Sequence, residues 1–281
     1  MTSRNAVLYV VATPIGNLAD ITHRAISTLE SVDVIAAEDT RHTGQLLKHL
    51  NIKNKLLSLH DHNERSQSSI IITHLEQGKS VALVSDAGTP LISDPGFFLV
   101  REVRHAGFKV VPIPGPCAMV TALSVSGIAT DRFVFEGFLP QKSGARRKHL
   151  KTLENEQRSM VFYESTHRIE SSLSDMKSIF GKSREVTIAR ELTKTFETIY
   201  SNSLENTITW MQDDHQQKKG EFVVIVSGNP QSSSTSDVEV DRIVDILMKQ
   251  LPLAQAAAVA AEISGQRKKD LYQRALLRKG S

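Results

Sequence analysis

The sequence predicts an α/β protein: two successive α/β domains, residues 1-116 and 117-228, a linker at 229-237 and a small helical appendage at 238-281. Three observations carry this. Short β-branched runs stop at glycine or proline, helix-period segments alternate with them, and the polar stretch NPQSSSTSD interrupts the pattern before a helical end. The first run, residues 6–12, stops before Pro14 and Gly16, as a buried strand entering a loop does. A helical pattern through Ile21, Ala25, Ile26 and Leu29 leads to a second run at 32–37, which completes a βαβ unit. The rhythm repeats with helix 70–75, strand 81–85, helix 97–105 and strand 109–113. Beyond Pro116 the pattern predicts a small-residue helix to Gly127 and strands at 133–136, 159–164, 184–190 and 221–227. Residues 168–180 read as a helix, and two more helical patterns, 238–251 and 254–264, precede a basic end.

Composition narrows the function classes. The chain has 281 residues, of which 40% are hydrophobic and 23% charged, enough to bury a substantial core. One cysteine, Cys117, excludes an intrachain disulfide and a cysteine-built zinc site, which points to a reducing, cytoplasmic setting. The apolar amino-terminal run is too short for a signal core or a membrane span, so no membrane partner is expected. A net charge of +3 does not by itself indicate nucleic acid. Its placement says more: Lys142, Arg146, Arg147, Lys148, His149 and Lys151 fall within ten positions, which reads either as a solvated face or as a flexible phosphate-binding loop. Arg267, Lys268, Lys269, Arg274, Arg278 and Lys279 add a second basic surface.

In an open parallel sheet, ligands bind beyond the carboxyl ends of the strands. Here those ends run into TPIGN, EDTR, DAGTP and PGP, sequences built for tight turns and close backbone approach. Neither a G-x-G-x-x-G fingerprint nor a P-loop is present, which disfavours an ordinary dinucleotide or nucleotide-phosphate site. Taken singly, each exit also reads as a plain turn. Asp86 suits an Asx turn, Glu38-Asp39 with Arg41 suits a helix N-terminus, and Phe162 suits core burial. His60-x-His62 has a spacing two metal ligands can use, but a polar exposed loop explains it as well and no metal is expected.

Seven segments in order, YVVATPIGNLADIT, VIAAEDTR, SDAGTPLISDPG, PGPCAMVTAL, FYESTHRI, ARELTKTFE and GEFVVIV, resemble the tetrapyrrole-methylase-like superfamily. Within it they resemble the branch that methylates the ribose 2′-hydroxyl of a decoding-region cytidine in 16S rRNA. The resemblance implies two α/β domains with an S-adenosylmethionine cleft between them, a homodimer, and a substrate within the small ribosomal subunit. It assigns cofactor contacts to Pro14, Asp86, Ala87, Gly88, Leu91, Thr121, Ala122, Phe162, Tyr163, Glu164, Ala189 and Arg190. It also raises Lys142, Arg146, Arg147, Lys148 and Lys151 to RNA contacts. Methyl transfer is an in-line displacement that needs alignment more than acid–base help. Asp39 and Glu191 are the carboxylates to consider as bases, with Arg41 and Arg190 orienting them. Two rivals remain: a methylase of a tetrapyrrole intermediate, which leaves the basic segments unexplained, and a non-catalytic RNA-binding assembly protein, which predicts no cofactor binding.

Overall fold

The computed structural model describes residues 6–230 and 237–279, so most of the expected linker at 229–237 lies outside the described residues. The first half contains β1 (Val7–Val11), α1 (His23–Ser31), β2 (Val34–Ala37), α2 (Thr40–His49) and β3 (Leu56–Ser58). It continues through α3 (Glu64–Glu76), β4 (Val81–Val84), α4 (Phe97–His105) and β5 (Lys109–Ile113). These strands form one parallel sheet in the order β3-β2-β4-β1-β5. β2 and β4 are buried along their whole length because helices cover both faces, which is why they read as continuous apolar runs. Leu8, Leu83, Leu99 and Val103 pack on one side of the sheet; Val11, Leu29, Ile35 and Val84 pack on the other.

A short helix α5 (Ala118–Val125) leads into the second half: β6 (Phe133–Phe138), α6 (Ser143–Thr152), β7 (Ser159–Ser165), α7 (Ile169–Phe180), β8 (Glu185–Arg190), β9 (Thr198–Ser203), α8 (Leu204–Asp213) and β10 (Glu221–Val226). Its sheet runs β6-β7-β10-β8-β9, with β6 parallel to β7 and the other pairings antiparallel. One face carries a core of Phe162, Leu173, Ile188 and Val224, among others. The opposite face packs Val161, Ala189 and Val223 against Ala122 and Leu123 of α5 and, from the first half, Ile15. That second contact joins the two sheets.

Three helices close the chain: α9 (Asp237–Met248), α10 (Leu253–Ser264) and α11 (Lys268–Lys279). Their core is small, Val240, Val244, Ala257, Ala260, Leu271 and Ala275. Asp245 and Asp241 of α9 pair with Arg278, and Asp241 also meets Arg274. These two arginines of the expected basic surface therefore hold α11 on α9, while Arg267, Lys268 and Lys269 remain exposed.

The segment read as a flexible basic loop is helix α6, and one of its cations is not on the surface. Arg146 is only 3% exposed. Its guanidinium donates to Asp175 of α7 at 2.7 Å and to the Gln141 carbonyl at 3.3 Å, and Ser143 adds its hydroxyl to the same carboxylate. Arg146 is thus a fastener between α6 and α7 and is removed from the RNA-contact set. Removing one partner of a buried pair strands the other charge. Arg146→Ala is expected to lower the unfolding free energy by about 3 kcal/mol, while the exposed neighbour Arg147→Ala changes it by less than about 0.5 kcal/mol, both read by urea denaturation.

Candidate functional site

The exits of β1, β2 and β4 converge at the end of the first sheet. Thr13 and Gly88 form an isolated antiparallel bridge, Thr13 N–H to Gly88 carbonyl at 2.8 Å and Gly88 N–H to Thr13 carbonyl at 3.1 Å. Gly88 has φ +81, and a Cβ there would come within 3.3 Å of Ile15, so the position combines a left-handed backbone with close approach. The exits of β2 and β4 are clasped instead through side-chain carboxylates. The Asp39 amide donates to Asp86 Oδ1 at 3.0 Å, and the Asp86 amide donates to Glu38 Oε2 at 3.4 Å.

Between these exits and the second sheet lies a cavity of about 340 Å³, within the usual size of a small-ligand cleft. Ile15, Ile92, Leu192 and Val223 give it apolar walls, and Glu38, Asp86 and Asp94 make it acidic. Burial raises the Asp94 carboxyl to about 6; Ser85 opposes this with a hydrogen bond, while the charges of Glu38, Asp86 and Asp61 add to it. Burial likewise raises Glu38, with Asp86 again adding repulsion. Carboxylates crowded in a cavity that no lysine or arginine lines favour a positively charged guest. Tyr163 reaches across from β7, where its hydroxyl accepts the Met119 amide at 3.1 Å and so completes the first turn of α5. Burial keeps that phenol protonated well above its ordinary range.

Of the expected cofactor residues, Asp86, Ala87, Gly88, Tyr163, Glu164 and Ala189 come together around this cavity. Others do not. Leu91 has φ +74 and packs under Gly96 in the core, so Ile92, Ser93 and Asp94 take the place expected for it. Thr121 donates to the Cys117 carbonyl within α5 and Ala122 is in the core; the start of the helix, Cys117 and Ala118, lines the cavity instead. Strand alternation turns Phe162 to the face opposite Tyr163, where it is fully buried. Pro14 borders a neighbouring recess. Glu164 borders the cavity, but its carboxylate accepts from Ser172, Ser165 and Arg168, a structural arrangement.

Each of the four expected acid–base residues has partners in the structure, and Arg41 meets Asp39 as expected. Asp39 caps α2 by accepting the Arg41 amide and pairs with the Arg41 guanidinium, which is 88% exposed; that pairing holds Asp39 far below the ordinary carboxylate range. Although burial opposes it, Glu191 is held below its ordinary value by the Glu221 amide and Lys194, so it is a poor proton acceptor. Arg190 is buried and donates to the carbonyls of Lys219 and Phe196, which fixes the segment after β8. Asn17 caps a short 3-10 turn through the Ala19 amide. The residue that motif reading passed over is Asp94; its only sequence signal was the Asp-Pro-Gly turn that ends SDAGTPLISDPG.

Lys142, just before α6, and Arg147 and Lys148 on it are exposed, while Lys151 pairs with Glu154 at 2.7 Å. The His60 and His62 rings meet edge to face at 5.9 Å, and no group of three metal-ligating side chains is close enough to hold an ion among the described residues.

A carboxyl whose folded pKa is raised favours folding below its unfolded value, and that contribution is lost as pH rises through about 6. Asn resembles the protonated form at every pH. Asp94→Asn is therefore expected to stabilise the ligand-free protein by about 1 kcal/mol at pH 8, after discounting for solvent, and to change little at pH 4. Thermal melts at the two pH values read the difference.

A family model described as Tetrapyrrole (Corrin/Porphyrin) Methylases matches residues 7–208, and one described as RsmI C-terminal HTH domain matches residues 234–279. The chain is 52% identical to Ribosomal RNA small subunit methyltransferase I of Haemophilus influenzae over 97% of both chains. It is 54% identical to the protein of that name from Vibrio cholerae, over 95% of this chain and 93% of the other. A crystal structure of uroporphyrin-III-C-methyltransferase from Thermus thermophilus superimposes with a TM-score of 0.54 at 17% identity, covering 79% of this chain and 94% of that one, a likeness of fold. The two-sheet body and the helical end are thus those of a known lineage: the chain belongs to the tetrapyrrole (corrin/porphyrin) methylase family and, within it, to the ribosomal RNA small subunit methyltransferase I group.

Proposed function

We propose that the protein transfers a methyl group from S-adenosylmethionine to the ribose 2′-hydroxyl of a cytidine in the decoding region of 16S rRNA. The observation that carries this reading is the apolar cavity with an acidic end, in a chain similar over nearly its full length to small-subunit rRNA methyltransferases. The donor set fits this cofactor: Asp86 and Asp94 offer negative charge to its ammonium and sulfonium, and Ile15, Ala118, Leu192 and Val223 offer apolar surface to the adenosine. When bound, the cofactor supplies an electrophilic methyl group. The residues then have two tasks, to align the acceptor oxygen and to keep water out. Ile15, Phe138 and Leu192 serve the second by walling the cavity. Asp94, with its carboxyl near 6, is ionised at neutral pH and holds the positive end in place. Lys142 at the start of α6 and Arg147 and Lys148 on it are the proposed phosphate contacts.

We further propose that the substrate is the small ribosomal subunit in the cytoplasm and that the protein is a homodimer. Exposed Val125 and Ile199, beside the Ser201–Ser126 hydrogen bond between β9 and the end of α5, supply apolar surface for a second copy. Sedimentation at twice the 31.1 kDa chain mass supports the dimer; sedimentation at the chain mass overturns it.

The deciding experiment incubates the protein and methyl-labelled S-adenosylmethionine with small subunits from cells lacking this modification, then maps the label. Label on a cytidine 2′-oxygen is expected; cofactor binding with no transfer to subunits or free RNA would move the acceptor to a small molecule. Replacing Lys142, Arg147 and Lys148 together by alanine should reduce the salt slope of RNA binding by about 2 and leave cofactor affinity unchanged. Cofactor affinity itself should rise as pH increases through about 6, where Asp94 ionises, and Asp94→Asn should flatten that rise, as read by calorimetry.

A further inference from the structure

Asp86 lines two cavities. Beyond the cofactor cleft it also borders a smaller recess of about 180 Å³, between the loop that follows β1 and one face of α2. Thr13, Pro14 and Leu18 form the loop side. His42, Gln45 and His49 form the helix side, at spacings of three and four residues that put them on one face. All three helix residues are exposed, and their side chains have no hydrogen-bond or ion-pair partner among the described residues. Leu18 opposite them is itself 43% exposed, although its turn is fixed by the Asn17 cap. The recess is therefore a held pair of walls, one mostly apolar and one on which His42, Gln45 and His49 present hydrogen-bonding groups beside Leu46.

Its size and chemistry select the guest. At about 180 Å³ it has the scale of a single flat heterocycle rather than of a macrocycle. Imidazole rings, proline and leucine offer stacking and apolar surfaces to an unstacked base. The Gln45 amide carries a donor and an acceptor together, which matches the adjacent ring nitrogen and exocyclic amine of cytosine. No lysine or arginine lines the recess, so it is not a phosphate seat. Because Asp86 is the shared wall, a base held here lies next to the cofactor cleft.

We propose that this recess seats the nucleobase of the acceptor nucleotide, an unstacked pyrimidine gripped by Gln45 between His42, His49 and Leu18. The proposal rests on the RNA methyltransferase reading and adds to it the surface that selects the nucleotide. α6 then supplies affinity for the RNA backbone, while α2 supplies the geometry at the reacting sugar.

The test uses Gln45→Ala and the double variant His42→Ala/His49→Ala, exposed helix positions at which alanine preserves α2. Cofactor affinity is measured by calorimetry, methylation of small subunits in single turnover at saturating subunit, and mass by sedimentation. Cofactor affinity should stay unchanged, and each variant's methylation rate should fall roughly tenfold or more, the worth of a base-edge contact or a stacked ring. Subunits carrying photoreactive 5-iodocytidine at the methylated position should crosslink to the α2 peptide in the parent protein. Full rates in both variants, or a crosslink confined to other peptides, overturn the proposal. A fall in rate that accompanies a change in sedimented mass also overturns it, by assigning the face to a second copy of the chain. Transfer by the parent with unaffected variants removes the recess alone; cofactor binding without transfer by the parent removes the RNA reading and the recess with it.

Discussion

The reciprocal hydrogen bonding of Asp86 with Glu38 and Asp39 is the constraint on which the site depends. Each strand exit presents an amide to the other's carboxylate, so two parallel strands with no tight connection are fastened where their chains diverge. The fastening gathers acids. Glu38 and Asp86 are held near Asp94, and their mutual repulsion, added to burial, keeps two of the three partly resistant to ionisation. Stability and ligand preference are thus set against each other at one place, as is usual where a site is organised before its ligand arrives.

Backbone conformation does the remaining aiming. Leu91 and Ser93 both adopt left-handed φ values, +74 and +70, in a segment whose sequence suggests a simple turn. The first sends its side chain into the core, and the following residues then face the cavity. Glu191 and Thr193, at +50 and +67, shape the far wall in the same manner, with Leu192 between them lining the cleft. Strain of this kind in non-glycine residues persists only where surroundings over-determine it. Here the close approach of Leu91 to Gly96, and Lys194 bridging Glu191 and Glu221, provide those surroundings.

Most of the first sheet was legible because β2 and β4 are buried on both faces and the strands stop at turn residues, as β1 does before Pro14 and β4 before Asp86. β3 and β9 escaped reading for opposite reasons. β3 has only three residues, and β9 is an edge strand whose sequence TIYSNS is mostly polar and partly exposed. α6 looked like a loop because Gly144 and a run of cations hide its apolar side, which consists of little more than Leu150 and the buried Arg146. No local signal could show that Arg146 faces inward, since Asp175 lies 29 residues away. At the site, the motifs located the loops correctly in the chain, but the choice between Leu91 and Asp94, or between Thr121 and Ala118, depends on φ angles and helix starts that motifs do not encode.

The three carboxyl-terminal helices carry a consequence for how the molecule comes apart. Their fully buried core is two valines, a leucine and three alanines, with partly buried side chains such as Ile243 and Leu247 packed on it and ion pairs between α9 and α11 supplementing it. So small an apolar core gives little cooperative energy, and partly exposed ion pairs weaken as salt screens them. The two-sheet body draws instead on large buried side chains such as Phe162, Leu8 and Ile35, which added salt does not weaken. The chain therefore contains two units of unequal cooperativity, and a single melting temperature describes neither of them.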